Sequence, residues 1–513
     1  MTGSQRYCRL NQSLGEGFWA RRHNVRTALS GDATSCHFNR DHQDEDYFVS
    51  ISVQNSGGAD HPAGSGGSTG LSAPQPGRPA LLEALAGRRP RRTPVWFMRQ
   101  AGRSLPEYRA LRERAGAPML DVCLWPQAAA QVTLQPVRRH GVDAAVLFSD
   151  IMVPLRLAGV EVRIEPGTGP VLDAPVRDWA QVRRLTAHHY GDADQAGAGP
   201  DGRALDGAAG VSAIQAAVRA VVAELGGPGQ PGAGASAPRQ ADRAHSHNRG
   251  EPHRASADSG GLSARALAGL AQSRGEAEWT PLLGFGGAPF TLVAYLAEGR
   301  PSRDHLAART LMHADPTAWD TLMTWAAHLT GQFMATQVAA GAAAVQLFDS
   351  WAGSLSAADY REKVAPYSAL ALDVARDAVS PTTGAPAPVI HFATRAGHLL
   401  PELHRTGADV VGVDECTDLA LAATALGERD DGSGARPVQG NLNPALLAAP
   451  WEVLAPAVDA CVEAGRAAPA HVFNLGHGVP PSTDPNVLTR VVARVHKSQD
   501  WERMALTGWD GQA

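Results

Sequence analysis

Arg99 and Arg103 stand four residues apart in Arg99-Gln100-Ala101-Gly102-Arg103, directly after the apolar run 93–98. Two guanidinium forks joined by small residues suit a ligand rich in carboxylate or phosphate, because each fork can bond two oxygens at once. The expected ligand is a polyanion. The plain structural alternative, a surface pair bridging helices, holds for most arginine pairs at this spacing. Asp150 closes Val146-Leu147-Phe148-Ser149. A carboxylate there can accept N–H bonds and balance a developing cation, whereas capping the next helix is its ordinary structural use. Tyr295 and Ser350 each offer a hydroxyl to a carboxylate, and for Tyr295 the alternative is a half-buried core aromatic. His477 sits between Gly476 and Gly478, so the backbone can turn tightly and carry the imidazole to a ligand. Its expected role is carboxylate binding rather than general acid catalysis, set against a satisfied structural histidine.

These residues need a scaffold that brings them together. Eight apolar runs, at 93–98, 144–148, 281–285, 343–348, 388–392, 410–413, 437–439 and 471–474, have the near-continuous apolarity of parallel strands covered on both faces. Ala- and Leu-rich stretches with helical spacing lie between them, at 128–140, 211–225, 319–339, 357–379, 418–426 and 457–465. Eight strands alternating with helices predict a single (β/α)8 barrel, whose active site gathers at the strand C-termini. After the eight runs come Arg99 and Arg103, Asp150, Gly286-Gly287, Ser350, Thr394 and Arg395, Asp414, Asn441 and His477. All of them should meet at one mouth.

A chain of 513 residues, 44% hydrophobic, can bury the core of such a barrel. Its net charge of −5 argues against a general nucleic-acid binder, although 88–114 holds nine arginines against Glu107 and Glu113. The positive potential is local. Cys8, Cys36, Cys123, Cys416 and Cys461 are scattered with no CxxC pair, which fits a reducing cytoplasm better than a disulfide framework or zinc ribbon. No apolar leader segment opens the sequence and no stretch of about 18 uninterrupted apolar residues occurs, so no membrane association is expected. Residues 1–76 and about 226–278 are rich in Gly, Ser, Pro and polar residues, the composition of a disordered extension and a disordered insertion. They leave 77–498 as the catalytic domain and 499–513 as a tail. Within the insertion, 262–271 could form one short helix.

Three other motifs have duller readings. Gly286-Gly287-Ala288-Pro289 lacks the endings of a phosphate loop and is expected to let backbone approach the ligand closely. His245, His247 and His253 sit in a Gly/Pro/Arg context and read as solvated rather than metal-binding. Arg88-Arg89-Pro90-Arg91-Arg92 looks like a nucleic-acid patch but abuts a buried strand; rim residues that steer substrate are the simpler expectation.

The run from Arg99 to Arg109 resembles the signature of the uroporphyrinogen decarboxylase family. Phe148-Ser149-Asp150-Ile151, Gly284 to Leu292 leading to Tyr295, Gln346 to Ser350, Gln439 to Leu442 and Asn474 to Gly478 follow the same family in order and spacing, from about Arg78 to Lys497. The resemblance implies conversion of the four acetate side chains of uroporphyrinogen III to methyls, giving coproporphyrinogen III without metal or organic cofactor, by a cytoplasmic homodimer. It also implies that Asp150, Arg99 and Arg103 are catalytic, and that Arg99, Gln100, Ala101, Gly102, Arg103, Asp150, Tyr295, Ser350 and His477 bind substrate. The substrate's chemistry agrees: its rim of carboxylates wants arginines, and its central pyrrole N–H groups want a carboxylate such as Asp150. A protonated pyrrole ring is its own electron sink.

Two competitors share this fold. A cobalamin-linked methyltransferase would need zinc held by His and Cys late in the barrel, yet Cys416 and Cys461 have no histidine at ligand spacing. A non-catalytic porphyrinogen carrier would be marked by loss of Asp150 or the arginines, and all are present. The sequence departs from its relatives at Val413-Asp414-Glu415-Cys416, where an Asp-Trp pair is common. One wall of the mouth is expected to differ.

Overall fold

Runs of Val, Leu, Ala and Phe with no polar face are stable only where both faces are covered, and seven of them form one sheet. The computed structural model describes residues 77–102, 104–190, 208–228, 230–231, 279–427 and 435–504. The strands of this sheet are β1 (Ala145–Val146), β2 (Leu282–Gly287), β3 (Ala344–Asp349), β4 (Val389–Ala393), β5 (Val410–Gly412), β6 (Val438–Leu442) and β7 (His471–Leu475). Each pairs in parallel with the next, from Ala145↔Leu282 through Val438↔His471, with helices in the connections. β2, β4, β5 and β7 are buried along their whole length. The architecture is α/β, built on a curled parallel sheet.

The expected first strand is reduced to one bridge, Val95↔Phe473. Phe473 N–H donates to Pro94 O (2.9 Å), and on the other side Asp143 N–H donates to Val95 O (2.8 Å). The Val95 N–H is taken by the Asp143 side chain at 2.8 Å, so a side chain stands where a ladder bond would continue the strand. Segment 93–98 therefore lies between β7 and the residues leading into β1. The seventh run, expected at 437–439, extends to Leu442 because strand pairing tolerates Gly440 and Asn441, which an apolar pattern passes over. The C-terminal helix, Pro485–Met504, continues beyond the expected boundary at 498.

Polar side chains cross the sheet's buried side. Trp96 Nε1 donates to Gln439 Oε1 (3.2 Å), and Gln439 Nε2 donates to Gln346 Oε1 (2.8 Å). The two glutamines thus satisfy each other where an unpaired amide would cost about 1–3 kcal/mol. Outside the sheet, helix Pro316–Ala340 begins with Asp315 accepting from Ala318 N–H and packs closely on helix Ala365–Arg376. Gly331 permits that approach: a Cβ there would lie 2.7 Å from Val374 Cβ.

The same helix accounts for two of the β2 glycines. The Cβ positions of Gly284 and Gly286 are filled by Gln337 and Thr330, and that of Gly287 by Ile151 and Leu292. Gln337 Oε1 accepts from Phe285 N–H (2.9 Å) and its Nε2 donates to Phe285 O (2.8 Å). Gly284 and Gly286 thus admit that helix, and Gly287 admits the side chains of Ile151 and Leu292. Residues 232–278, with the short helix expected at 262–271 and His245, His247 and His253, lie outside the described residues, as do residues 1–76. Among the described residues no helix is long and apolar enough to cross a membrane.

Candidate active site

The strand C-termini open into a cavity of about 550 Å3, lined among others by Ser350, Trp351, Thr394, Arg395, Glu415 and His477. Ser350 and His477 were expected there. Ser350 follows β3, and its backbone oxygen accepts from Thr394 Oγ1 (2.6 Å), tying two strand ends together. Thr394 is a pin rather than a ligand group. Asp414 also turns inward: its carboxylate accepts from Ala396 N–H (3.0 Å), Cys416 N–H (3.0 Å) and Thr417 Oγ1 (2.9 Å). Asn441 Nδ2 donates to Asp414 O (2.8 Å) and Thr417 O (2.6 Å). Two polar strand-end candidates thus build the loop that carries Glu415.

Arg99 follows the first apolar run with a φ of 61°, and Arg395 follows β4 with a φ of 54°. The left-handed region disfavours side chains with a Cβ, and non-glycine residues held there cluster at functional sites. Arg99 packs its stem on the histidine loop: a Cβ on Gly478 would lie 2.5 Å from Arg99 Cδ. On the other side, a Cβ on Gly476 would collide with the Glu415 backbone, 2.6 Å from its Cα. The glycines around His477 are therefore required by contact, and His477 is held between Arg99 and Glu415. Burial and then the Arg99 charge hold its imidazole below the ordinary histidine value, and Glu415 only partly offsets them.

Tyr295, on helix Pro289–Glu298, is 8% exposed, with its ring 5.7 Å from that of Trp351 in the cavity wall. Burial, followed by the negative charge of Asp150, pushes its phenol up to about 12, and Arg99 opposes this. Tyr295 is therefore a hydroxyl donor at neutral pH, within the fields of both Asp150 and Arg99. Asp150 Oδ1 accepts from Met152 N–H (2.9 Å) at the start of helix Val153–Leu157. The bond closes the turn just before the helix, whose N-cap is Met152 without a side-chain cap, and it engages one of the two Asp150 carboxylate oxygens.

The remaining members of the arginine signature divide. Gln100 is fully buried; its Oε1 accepts from Phe97 N–H (2.9 Å) and its Nε2 donates to Ala144 O (2.9 Å). Its side chain faces away from the mouth and holds the turn. Ala101 packs on the core. Gly102, at φ 136°, adopts backbone that a side chain would strain. Arg103 lies outside the described residues. The run 88–92 is displaced from its expected place as well: Arg88 pairs with Glu83 (2.8 Å), Arg92 with Asp143 (2.7 Å), and Arg89 Nη2 donates to Arg466 O (3.1 Å). These arginines brace the N-terminal ends of the strands, opposite the mouth.

Some residues of the mouth were not foreseen. His305 and Trp351 line the cavity beside Ser350. Trp351 stacks on His305 at 4.7 Å. A run-based reading passes over both, because they lie outside the apolar runs. Among the described residues no group of three or more His, Cys, Asp or Glu is placed to hold a metal ion.

The family model for uroporphyrinogen decarboxylase matches residues 77–197 and 235–498. The chain belongs to the uroporphyrinogen decarboxylase family. A relative named uroporphyrinogen decarboxylase from Leifsonia xyli is 49% identical over 425 residues, 81% of this chain and 93% of its own length. Another of that name from Arthrobacter sp. is 47% identical over 416 residues, 81% and 96% of the two lengths. A solved methyltransferase from Methanosarcina mazei shares the fold, with a TM-score of 0.51 at 15% identity over 81% of this chain and 97% of that one. The matched residues include all seven strands of the sheet and the residues that line the mouth.

Proposed function

We propose that this chain decarboxylates uroporphyrinogen, converting its four acetate side chains to methyls in tetrapyrrole biosynthesis. The observation that carries the proposal is the grouping of Ser350 and His477 in one cavity, with Arg99 packed against Gly478 and Tyr295 against Trp351 of the cavity wall, in a member of this family. Arg99 rests on Gly478 beside His477 and shares its field with Tyr295, while Ser350 and His477 line the same cavity.

In the proposed reaction a proton adds to a pyrrole α-carbon, and the ring becomes a cation. The acetate C–C bond then breaks, its electron pair flows into the ring, and CO2 leaves. The exocyclic carbon takes up a proton and the α-carbon loses one, which restores the pyrrole and leaves a methyl. Asp150 accepts the pyrrole N–H groups and stabilises the ring cation. Arg99 and Arg103 grip substrate carboxylates, and the proton for the ring comes from this pair. Tyr295, Ser350 and His477 bind further carboxylates. Gln100, Ala101 and Gly102 contribute through the turn that sets the arginines, since the Gln100 side chain is spent on that turn. The ring's own cation is the electron sink, so neither metal nor organic cofactor enters the proposal.

The closed (β/α)8 barrel belongs to the same reading, with segment 93–98 as the eighth staff; its bonds toward β7 and toward Asp143 support closure. Residues 1–76 and 226–278 lie outside the catalytic machinery, and assembly is as a homodimer in the cytoplasm. Anaerobic incubation of the purified protein with uroporphyrinogen tests the reaction. Stepwise loss of carboxyl groups to coproporphyrinogen is expected, and recovery of unchanged substrate would contradict it.

A further inference from the structure

Glu415, together with Asp304 and Asp414, brings negative charge into the lining of a mouth read as binding a polycarboxylate, and its backbone is fixed in place. Its backbone presses on Gly476, next to His477, with Asp414 and Asn441 pinning its loop from either side. Among the described residues no hydrogen bond or ion pair engages its carboxylate. It lines the cavity with Arg395, His477 and Ser350, so a bound ring that reaches those groups also meets Glu415.

We propose that Glu415 is a specificity-determining residue whose carboxylate repels those of the substrate, so that the mouth favours rings carrying fewer of them. This rests on the reading of the mouth as the binding site of a polycarboxylate ring. Two effects of Glu415 oppose each other. Its charge favours the cationic form of His477, which would help an anion bind, and the same charge repels that anion directly. The first effect is silent near pH 7.5, because burial and Arg99 outweigh Glu415 and leave His477 below its ordinary value, hence neutral. Direct repulsion remains, and for one unit charge at a partly exposed site it changes affinity by about three- to tenfold.

The test is equilibrium binding at pH 7.5, read by porphyrin fluorescence, of uroporphyrin with eight carboxylates and coproporphyrin with four. It compares the whole chain with Glu415→Gln and Glu415→Lys, after circular dichroism shows that each is folded. Glu415→Gln should tighten uroporphyrin about three- to tenfold and coproporphyrin less, and Glu415→Lys should extend the trend. Unchanged or weaker uroporphyrin binding in both variants, or equal gains for the two rings, overturns the role of Glu415. The assay needs no turnover. A parent protein that binds both rings but decarboxylates neither would contradict the proposed reaction alone, and one that binds neither ring would contradict the mouth itself.

Discussion

Arg99 occupies the space that a side chain on Gly478 would need, its Cδ 2.5 Å from that Cβ position. Gly478→Ala must therefore move a flexible arginine stem, whereas Gly476→Ala must move the Glu415 backbone. The first should cost little stability but reduce kcat/KM on the order of ten- to a hundredfold, because a misplaced clamp forfeits orientation. The second should cost about 1–3 kcal/mol of stability as overpacking. Thermal melts paired with kinetics on both variants check the contrast, and equal damage from the two would contradict it.

Asp150→Asn should keep the fold, since an amide oxygen can still accept from Met152 N–H. It should lose on the order of a hundredfold in kcat, because a neutral amide cannot balance the ring cation. Steady-state kinetics on the folded variant decide it.

Arg103→Lys should damage turnover nearly as much as Arg103→Ala. A compact ammonium supplies charge without the fork that holds a carboxylate by two bonds. A Lys variant with parental kinetics would reduce the role of Arg103 to long-range attraction.

Much of the site was legible because the barrel rule turns run ends into a list of candidates. Ser350 and His477 reached the mouth that way, and His471 to Leu475 formed the strand that its apolarity predicted. Other readings failed for physical reasons that sit in tertiary contacts. Asp143 lies far from Val95 in the sequence, so its capture of that N–H could not be read from the run itself. Asp414, Asn441 and Thr394 have the right types at the right places, yet their bonds tie neighbouring strand-end loops to one another. The Gly284 and Gly286 contacts depend on Gln337 and Thr330 on a helix about fifty residues away. Gln100 carries a polar side chain inside the signature, and only burial reveals that it faces inward.

Acid should weaken the fold through two buried histidines outside the mouth. Burial first, and for His140 the neighbouring Arg139 charge second, hold His140 and His471 down to about 4 from 6.5. The folded state thus binds fewer protons than the unfolded chain between those values. Stability is complete above pH 6.5 and falls as pH drops toward 4, by about 3 kcal/mol for each group at the limit. In His140→Gln, denaturant melts between pH 7.5 and 4.5 should show a shallower acid loss than in the parent. An unchanged slope would remove His140 from the account.

The central claim is that this mouth removes carboxyl groups from a porphyrinogen. Anaerobic incubation with uroporphyrinogen III, followed by oxidation and chromatographic separation by carboxyl number, measures it directly. The account predicts hepta-, hexa- and pentacarboxylate species giving way to a tetracarboxylate product, with Asp150→Asn leaving the octacarboxylate nearly intact. Persistence of the octacarboxylate with folded parent protein that binds it would contradict the account.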